Sequence, residues 1–302
     1  MISTWRAVRL IWRKEKKLRR TALQLIENKK ELEAQKAYLK SVGAVTEQQL
    51  NMSAVTVSDG VYAFIDMVGS ARIRKHLLPG QYFCILNFCH QIAADTANLF
   101  HCRVDNFMGD AVFLQNTPVF DPEKFNSFIS PRGRCMLMVL ALTCFFRDIE
   151  KLKQGLHPLD PEGEVKQLLE KTGICLDFRA GMEIGSAMIG PLGSDKRKIV
   201  TAVGKAVNNA SRLESSGKPA CIQISRRLMD VLKNAAIEND GGFVCKLVRR
   251  VFPEAEKVLD QKTEFMKAYQ AFYKLNDNPV KKRTDVSYKE FYQKETYLLK
   301  TQ

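Results

Sequence analysis

Residues 200–214 have the sequence VTAVGKAVNNASRLE, and this stretch decides how the rest of the chain is interpreted. As a helix, it places Asn208 and Arg212 four residues apart and therefore side by side on one face. An uncharged amide beside a guanidinium, whose N–H donors have a fixed planar geometry, suits a polyanionic group whose charge grows during a reaction. An ordinary amphipathic surface helix also carries such pairs, so the interpretation depends on two aspartates far upstream.

The two aspartates, Asp66 and Asp110, occupy unusual places for a charge. Asp66 follows the apolar residues 61–65, which predict a strand, and Asp110 lies in a turn between predicted strands at 102–105 and 111–114. A carboxylate placed there needs a cation or hydrogen-bond donors. Carboxylates from adjacent strand ends can hold a pair of divalent metal ions ~4 Å apart, the arrangement used in phosphoryl chemistry. The alternative for Asp110 is a plain turn residue.

Residues 68–70, Val-Gly-Ser, break the first strand and precede a helix. Free backbone N–H groups at a helix start bind phosphate, so Gly69 and Ser70 are candidate phosphate contacts. The same Gly-Ser dipeptide also occurs in ordinary turns.

The composition is that of an ordinary globular protein, with 45% hydrophobic and 26% charged residues among 302. The eight cysteines form no CxxC pair and most lie in apolar runs, which predicts reduced, buried thiols in a cytoplasmic protein. With four histidines and no zinc-knuckle spacing, a zinc site is not expected. The first residues predict no signal peptide, and the longest apolar run, 135–146, is short of the ~20 residues that a membrane helix needs.

Positive charge is concentrated near the start of the chain. Residues 1–40 contain 12 Lys and Arg against 4 Asp and Glu, so this segment supplies +8 of the net charge of +14. The segment lacks Pro and Gly and predicts one long helix, which could pack in a dimer, lie on an anionic membrane surface or bind nucleic acid. We favour dimer packing over membrane contact, and we expect no nucleic acid because no readout motif is present.

The predicted elements alternate between strands and helices. From about residue 58 their order begins βαββαββα with antiparallel hairpins, which indicates an α+β domain whose sheet carries helices on a face. Helices are predicted at about 80–100, 134–153, 203–214 and 226–234, strands at 174–179, 183–189, 221–224 and 296–299, and loops at 155–164 and 190–198. We therefore divide the chain into a basic helix and linker (1–57), a compact domain (58–240) and a C-terminal extension (241–302), helical around 265–275, that returns a final strand to the sheet.

Four segments resemble the catalytic domain of the class III nucleotidyl cyclases, and they occur in that family's order. They are FIDMVGS at 64–70, FMGDAV at 107–112, GMEIG at 181–185 and VGKAVNNASRLE at 203–214. The resemblance covers roughly residues 58–235 and extends through SSG at 215–217 and IQIS at 222–225. Any one segment is common, whereas all four in order are specific.

The resemblance implies a ferredoxin-like α+β domain, with a central and mostly antiparallel sheet flanked by helices. Such domains work as head-to-tail homodimers with composite active sites at the interface. Asp66 and Asp110 match the aspartates that bind two divalent ions, Mn²⁺ or Mg²⁺. Asn208 and Arg212 match the pair, contributed by the other protomer, that orients the ribose and stabilises the transition state.

The implied reaction is attack of the ribose 3′-oxygen on the α-phosphate of a nucleoside triphosphate, releasing diphosphate. In this resemblance, Lys196 or Arg197 falls where the family places a phosphate-binding basic residue. The protein's task is then mainly positioning and charge stabilisation.

Departures at the base-contacting positions determine the expected substrate. Adenylate cyclases of the family usually have a Lys four residues before the second metal-binding Asp, and an Asp or Thr three residues before the helix Gly; here these positions hold Asn106 and Thr201. Thr201 is within the family's range. Asn106 is neither that lysine nor the glutamate of guanylate cyclases, and its amide both donates and accepts.

These altered positions, the short chain with no recognisable sensor and the basic N-terminal helix resemble the bacterial pyrimidine cyclases of the Pycsar antiphage defence system. That resemblance implies cyclic UMP or cyclic CMP, a diffusible messenger that activates a separate effector protein. The residues hardly separate UTP from CTP, and UTP is our working choice.

Two other functions stay open from the sequence. One is an adenylate cyclase with relaxed base contacts, and the other is an inactive cyclase-like domain that binds nucleotide and signals by dimerising. An inactive copy has no chemical need for Asp66, Asp110, Asn208 and Arg212 together, which argues against the second. The expected location is the cytoplasm, with the basic helix able to contact the inner membrane surface.

Overall fold

The computed structural model describes residues 52–120, 129–194, 197–233, 280–288 and 291–301. The basic segment predicted as a helix at 1–40, the helix predicted at 265–275 and Lys196 lie outside the described residues.

The described part of the chain contains eight strands, six α-helices and a short 3-10 helix at Pro118–Phe120. The strands are β1 (Val55–Met67), β2 (Arg103–Met108), β3 (Ala111–Asn116), β4 (Phe178–Ser194), β5 (Arg197–Val203), β6 (Cys221–Ser225), β7 (Val280–Tyr288) and β8 (Phe291–Lys300). The helices are α1 (Ser70–His76), α2 (Pro79–Leu99), α3 (Pro131–Lys153), α4 (Glu164–Thr172), α5 (Lys205–Ser215) and α6 (Arg226–Lys233).

The strands form one sheet in the order β2-β3-β1-β4-β6-β8-β7, with β5 paired to the second half of β4. The paired strands run antiparallel except β4 and β6, which run parallel. The predicted α+β fold, a central and mostly antiparallel sheet flanked by helices, is therefore confirmed.

Helix α5 lies close against the middle of the sheet. Its small residues Ala206 and Ala210 belong to a buried cluster that also contains Tyr62 of β1. A Cβ atom built on Gly181 of β4 would lie only 1.9 Å from the backbone nitrogen of Glu214, so no larger residue fits there. The glycine that begins the GMEIG segment thus sets how closely the helix approaches β4.

Strand β1 is buried on both of its faces. Tyr62 contributes to the cluster under α5, and the alternate residues Val61, Ala63 and Ile65 are buried too. Helix α3 contacts β1 and packs on α2, and the apolar run 135–146 within it is buried throughout. This run is a core helix, as predicted, and no helix in the described ranges is long and apolar enough to cross a membrane.

Two predictions about β4 are wrong. Residues 178–194 form one strand rather than two, and the predicted loop at 190–198 is largely the hairpin between β4 and β5. Two glycines of this strand lie where a larger residue would be crowded, because a Cβ on Gly185 would meet Ala206 at 3.1 Å and one on Gly190 would meet Ala54 at 2.8 Å.

Other boundaries also differ from the sequence prediction. Strand β2 continues to Met108, so Asn106 lies in a strand and not in the turn. Strand β1 begins at Val55, inside the segment predicted as a linker, and α4 and β7 were not predicted.

Candidate active site

Asp66 and Asp110 lie at the same end of the sheet. Strand β3 runs antiparallel to β1 with Ile65 opposite Val112, so the register brings Asp66 beside the turn that carries Asp110. In that turn Gly109 has a left-handed φ of 68°, which glycine adopts without a steric penalty. The structure therefore brings the two aspartates predicted to bind metal together.

Arg179 of β4, which was not anticipated from the sequence, is the partner of Asp66. The two residues are opposite each other in the β1–β4 register, and the guanidinium donates to Asp66 Oδ2 at 3.1 Å. Its Nε donates to Glu214 Oε1 at 2.7 Å, and the Ser215 hydroxyl donates to the other Glu214 oxygen at 3.0 Å. Arg179 thus links Asp66 on β1 with Glu214 in the last turn of α5 through two ion pairs.

The charges around Asp66 favour a cation. Burial raises the pKa of Asp66, the negative charge of Asp110 raises it further, and Arg179 lowers it. A divalent cation would relieve the repulsion between the two carboxylates, and their hard oxygen atoms suit Mg²⁺ or Mn²⁺. Among the described residues no group of three or more His, Cys, Asp or Glu side chains could hold a metal. Two carboxylates with the remaining positions left to water and phosphate are typical of Mg²⁺ sites.

Gly69 and Ser70 form the start of the short helix α1. Gly69 is its N-cap, with a left-handed φ of 70°. The Val68 N–H donates to the Asp177 carbonyl at 2.8 Å, so it is not among the free donors that the sequence suggested. Phosphate contact by Gly69 and Ser70 stays a prediction.

Asn208 and Arg212 lie one turn apart on α5, as predicted, and line a cleft of about 830 Å³. Lys205 and Arg227 also line this cleft and add positive charge to it. The described residues that line it do not include either of the paired aspartates. In the described part of the chain, Asn208 and Arg212 therefore line a cleft of which the paired aspartates are not part.

The hairpin of β4 and β5 carries an exposed apolar face. Met188 pairs with Val203 and Leu192 pairs with Ile199, and all four side chains are exposed, Met188 by 55% and Val203 by 54%. We call these four residues the hairpin face. Contiguous exposed apolar side chains of this kind mark association surfaces.

Comparison with known families identifies the domain. Residues 47–265, well over half of the chain, match the model of the adenylate and guanylate cyclase catalytic domain. The chain belongs to this cyclase family. The class III nucleotidyl cyclase domain predicted from the sequence is confirmed, although none of the curated proteins compared with the chain matches it.

Solved cyclase structures share the fold of this cyclase domain. The catalytic core of a rhodopsin-guanylyl cyclase with converted specificity, in complex with ATPαS, is 17% identical with a TM-score of 0.55, over 83% of this chain and 100% of that one. The adenylyl cyclase CyaB from P. aeruginosa is 17% identical with a TM-score of 0.52, over 82% and 96%. The guanylate cyclase domain of RhGC from Catenaria anguillulae, in complex with GTP, is 17% identical with a TM-score of 0.53, over 81% and 97%. At these identities the likeness shows the fold alone.

Near the predicted base contacts of the cyclase domain, the structure adds a residue. Asn106 is exposed on β2. The hydroxyl of Thr201 on β5 donates to Asp105, the residue immediately before Asn106. The β2–β3 register steps from Val104 to Asn106, which places Asp105 at a β-bulge. Bulges redirect a side chain, and this one is not visible in the sequence.

Of the two basic candidates for phosphate contact in this cyclase, Lys196 lies outside the described residues. Arg197 is the first residue of β5 and is exposed. Phosphate contact by Lys196 or Arg197 therefore stays a prediction from the sequence.

Proposed function

We propose that the protein is a metal-dependent cyclase that converts a pyrimidine nucleoside triphosphate to a 3′,5′-cyclic nucleotide and diphosphate. One observation carries the proposal: Asp66 and Asp110 meet at one end of a cyclase-family sheet, while Asn208 and Arg212 line a separate cleft. A site shared between two chains requires this division.

Asp66 and Asp110 are the residues that would hold the metal ions. Two bound Mg²⁺ or Mn²⁺ ions would help to deprotonate the attacking hydroxyl and would neutralise negative charge on the triphosphate. Arg179 holds the carboxylate of Asp66 in its orientation.

The reaction forms a bond between the ribose 3′-oxygen and the α-phosphorus. It breaks the bond from the α-phosphorus to the oxygen that bridges to the β-phosphorus, and diphosphate leaves with that electron pair. The 3′-hydroxyl proton passes to solvent. Arg212 donates to the phosphoryl oxygens as their charge grows, and Asn208 orients the ribose.

The proposed assembly is a head-to-tail homodimer with two composite sites. In each site Asp66 and Asp110 come from one protomer, and Asn208 and Arg212 from the other. A two-fold axis repeats the same contact twice and so completes both sites at once. The hairpin face supplies the kind of apolar surface that such an interface buries.

The base-contacting positions support a pyrimidine substrate. Asn106 takes the place of the lysine or glutamate with which related purine cyclases contact the base, as the resemblance implies, and Thr201 completes the contact. We further propose that the product is a diffusible messenger of bacterial antiphage defence, which reaches its effector protein without direct contact.

Incubation of the purified protein with Mn²⁺ and each of the four ribonucleoside triphosphates, followed by mass identification of products, tests the proposal. A cyclic pyrimidine nucleotide supports it. Cyclic AMP alone identifies an adenylate cyclase, and no product from any of the four nucleotides indicates an inactive nucleotide-binding domain. A parallel reaction with a chelator in place of Mn²⁺ should give no product.

A further inference from the structure

Asp105 is held between two hydrogen-bond donors. Its Oδ2 accepts from the Thr201 hydroxyl, and its Oδ1 accepts from Gln115 Nε2. The Thr117 hydroxyl donates to Gln115 Oε1 at 3.4 Å, which turns the NH₂ group of Gln115 toward Asp105. Both carboxylate oxygens of Asp105 therefore act as acceptors.

Burial and a neighbouring charge act on Asp105 in opposite directions. Gln115 and Tyr62 are buried, and Arg103 stabilises the carboxylate. Burial raises the pKa of Asp105 to about 6, against the hydrogen bond from Thr201 and the charge of Arg103. The group is thus mostly ionised at neutral pH.

The hydroxyl of Thr201 has a single hydrogen, and in this structure Asp105 accepts it. Thr201 Oγ1 therefore offers only lone pairs to any further partner. Thr201 is partly exposed and shares a face of β5 with the exposed residues Ile199 and Val203. A ligand on that outward face can reach the hydroxyl oxygen only with a donor.

We infer that Asp105 is a specificity-determining positioning residue, which fixes Thr201 as an acceptor so that the site selects, between the two pyrimidines, the base with an amino group. This inference rests on the proposed function, in which Thr201 contacts the base. Cytosine presents an amino group at position 4, whereas uracil presents a carbonyl oxygen, which would set two acceptors against each other. The pyrimidine substrate is then CTP, in place of the working choice of UTP.

The variant Asp105→Asn reverses the polarity of the network. Gln115 still directs its NH₂ group at position 105, so the new amide oxygen accepts from it and the new NH₂ group donates to Thr201. The Thr201 hydrogen is then free to donate to the carbonyl of uracil. We expect the ratio of kcat/KM for CTP to that for UTP to fall about tenfold or more.

Two variants of Thr201 serve as matched controls. Thr201→Ser keeps the hydroxyl and should keep the wild-type ratio of CTP to UTP. Thr201→Val keeps the shape and removes the hydroxyl, so its ratio should approach one. A merely structural role would instead lower the rates for both nucleotides together.

The preference for CTP over UTP is also measured as a ratio of binding affinities. Each nucleotide competes with a fluorescent ribose-labelled nucleotide, so the preference can be determined without turnover. If nothing is cyclised but the binding ratio changes as described, the proposed function fails and the inference stands. A wild-type preference for UTP overturns the inference. So does an unchanged ratio in Thr201→Val, or in an Asp105→Asn protein whose circular dichroism matches the wild type.

Discussion

Arg179 and Asp66 face each other across β1 and β4, and the guanidinium donates to Asp66 Oδ2 at 3.1 Å. The same guanidinium holds Glu214 at 2.7 Å, at the end of the helix that carries Asn208 and Arg212. In the proposed dimer Asp66 serves one site and Arg212 the other. Arg179 therefore joins the two half-sites of a single chain.

Replacing Arg179 with Met should destabilise the fold and lower activity, because the partly buried carboxylate of Asp66 and the buried carboxylate of Glu214 would be left without their shared cation. We expect the free energy of unfolding, measured with urea, to fall by about 1–3 kcal/mol. The free energy of unfolding of Arg179→Lys should lie between those of Arg179→Met and the wild type. An ammonium keeps the charge but lacks the planar guanidinium that bonds to both carboxylates. The control is Arg226→Met, whose ion pairs are exposed. Equal stability of Arg179→Met and wild type contradicts the assignment.

Asp66→Asn and Asp110→Asn should each strongly reduce cyclisation without unfolding the protein. Loss of a metal-binding carboxylate removes several kcal/mol of transition-state stabilisation, so turnover should fall on the order of 10³-fold. Rates are measured over a range of Mn²⁺ concentrations, with Asp230→Asn on the exposed side of α6 as the control. Full turnover in either active-site variant would remove that residue from the site.

Local patterns were enough to predict several parts of the site. The helix spacing of Asn208 and Arg212 depends only on residues within one turn, and the structure has them on α5. The apolar run before Asp66 and the short hairpin around Asp110 likewise predicted strands that the structure contains.

Cross-strand features could not be predicted in the same way. The pairing of Arg179 with Asp66 depends on the register between strands more than a hundred residues apart in sequence. The bulge at Asp105, next to the predicted base contact Asn106, likewise could not be predicted, and Asp105 accepts a hydrogen bond from Thr201. The sequence does contain a signal for both residues, because Arg179 and Asp105 are each a charged residue within a predicted strand.

A charge on the hairpin face should weaken dimerisation and activity together. Val203→Glu would bury an unpaired carboxylate in the proposed interface, which is costly. Sedimentation should show a shift toward monomer, with activity lost in proportion. Leu156→Glu, at a residue that is 68% exposed in the loop after α3, is the matched control and should leave both unchanged. A Val203→Glu protein that is dimeric and fully active would exclude this face from the interface.

The stability of the protein should depend on pH through Asp105. Its pKa of about 6 in the folded protein is above the ordinary value of 3.8, so the folded state binds this proton more tightly than the unfolded chain does. The contribution of Asp105 to stability is therefore largest below about pH 4 and declines as the pH rises to about 6.

Asp105→Asn lacks this decline. The unfolding free energy of the wild type minus that of the variant should accordingly fall between about pH 4 and pH 7, by up to ~3 kcal/mol. Urea unfolding across this range measures it, with Asp95→Asn at an exposed position of α2 as the control. A difference that is constant with pH contradicts the assigned environment of Asp105.

Complementation between inactive variants tests the composite site most directly. Asp66→Ala and Arg212→Ala should each be inactive alone, whereas a mixture that exchanges protomers forms heterodimers with one intact site. For random exchange at equal amounts we expect about a quarter of wild-type activity. A mixture of Asp66→Ala with Asp110→Ala, which damages the same half-site, should stay inactive. If the first mixture is as inactive as its components although protomers exchange, the site is not shared between chains and the central claim is wrong.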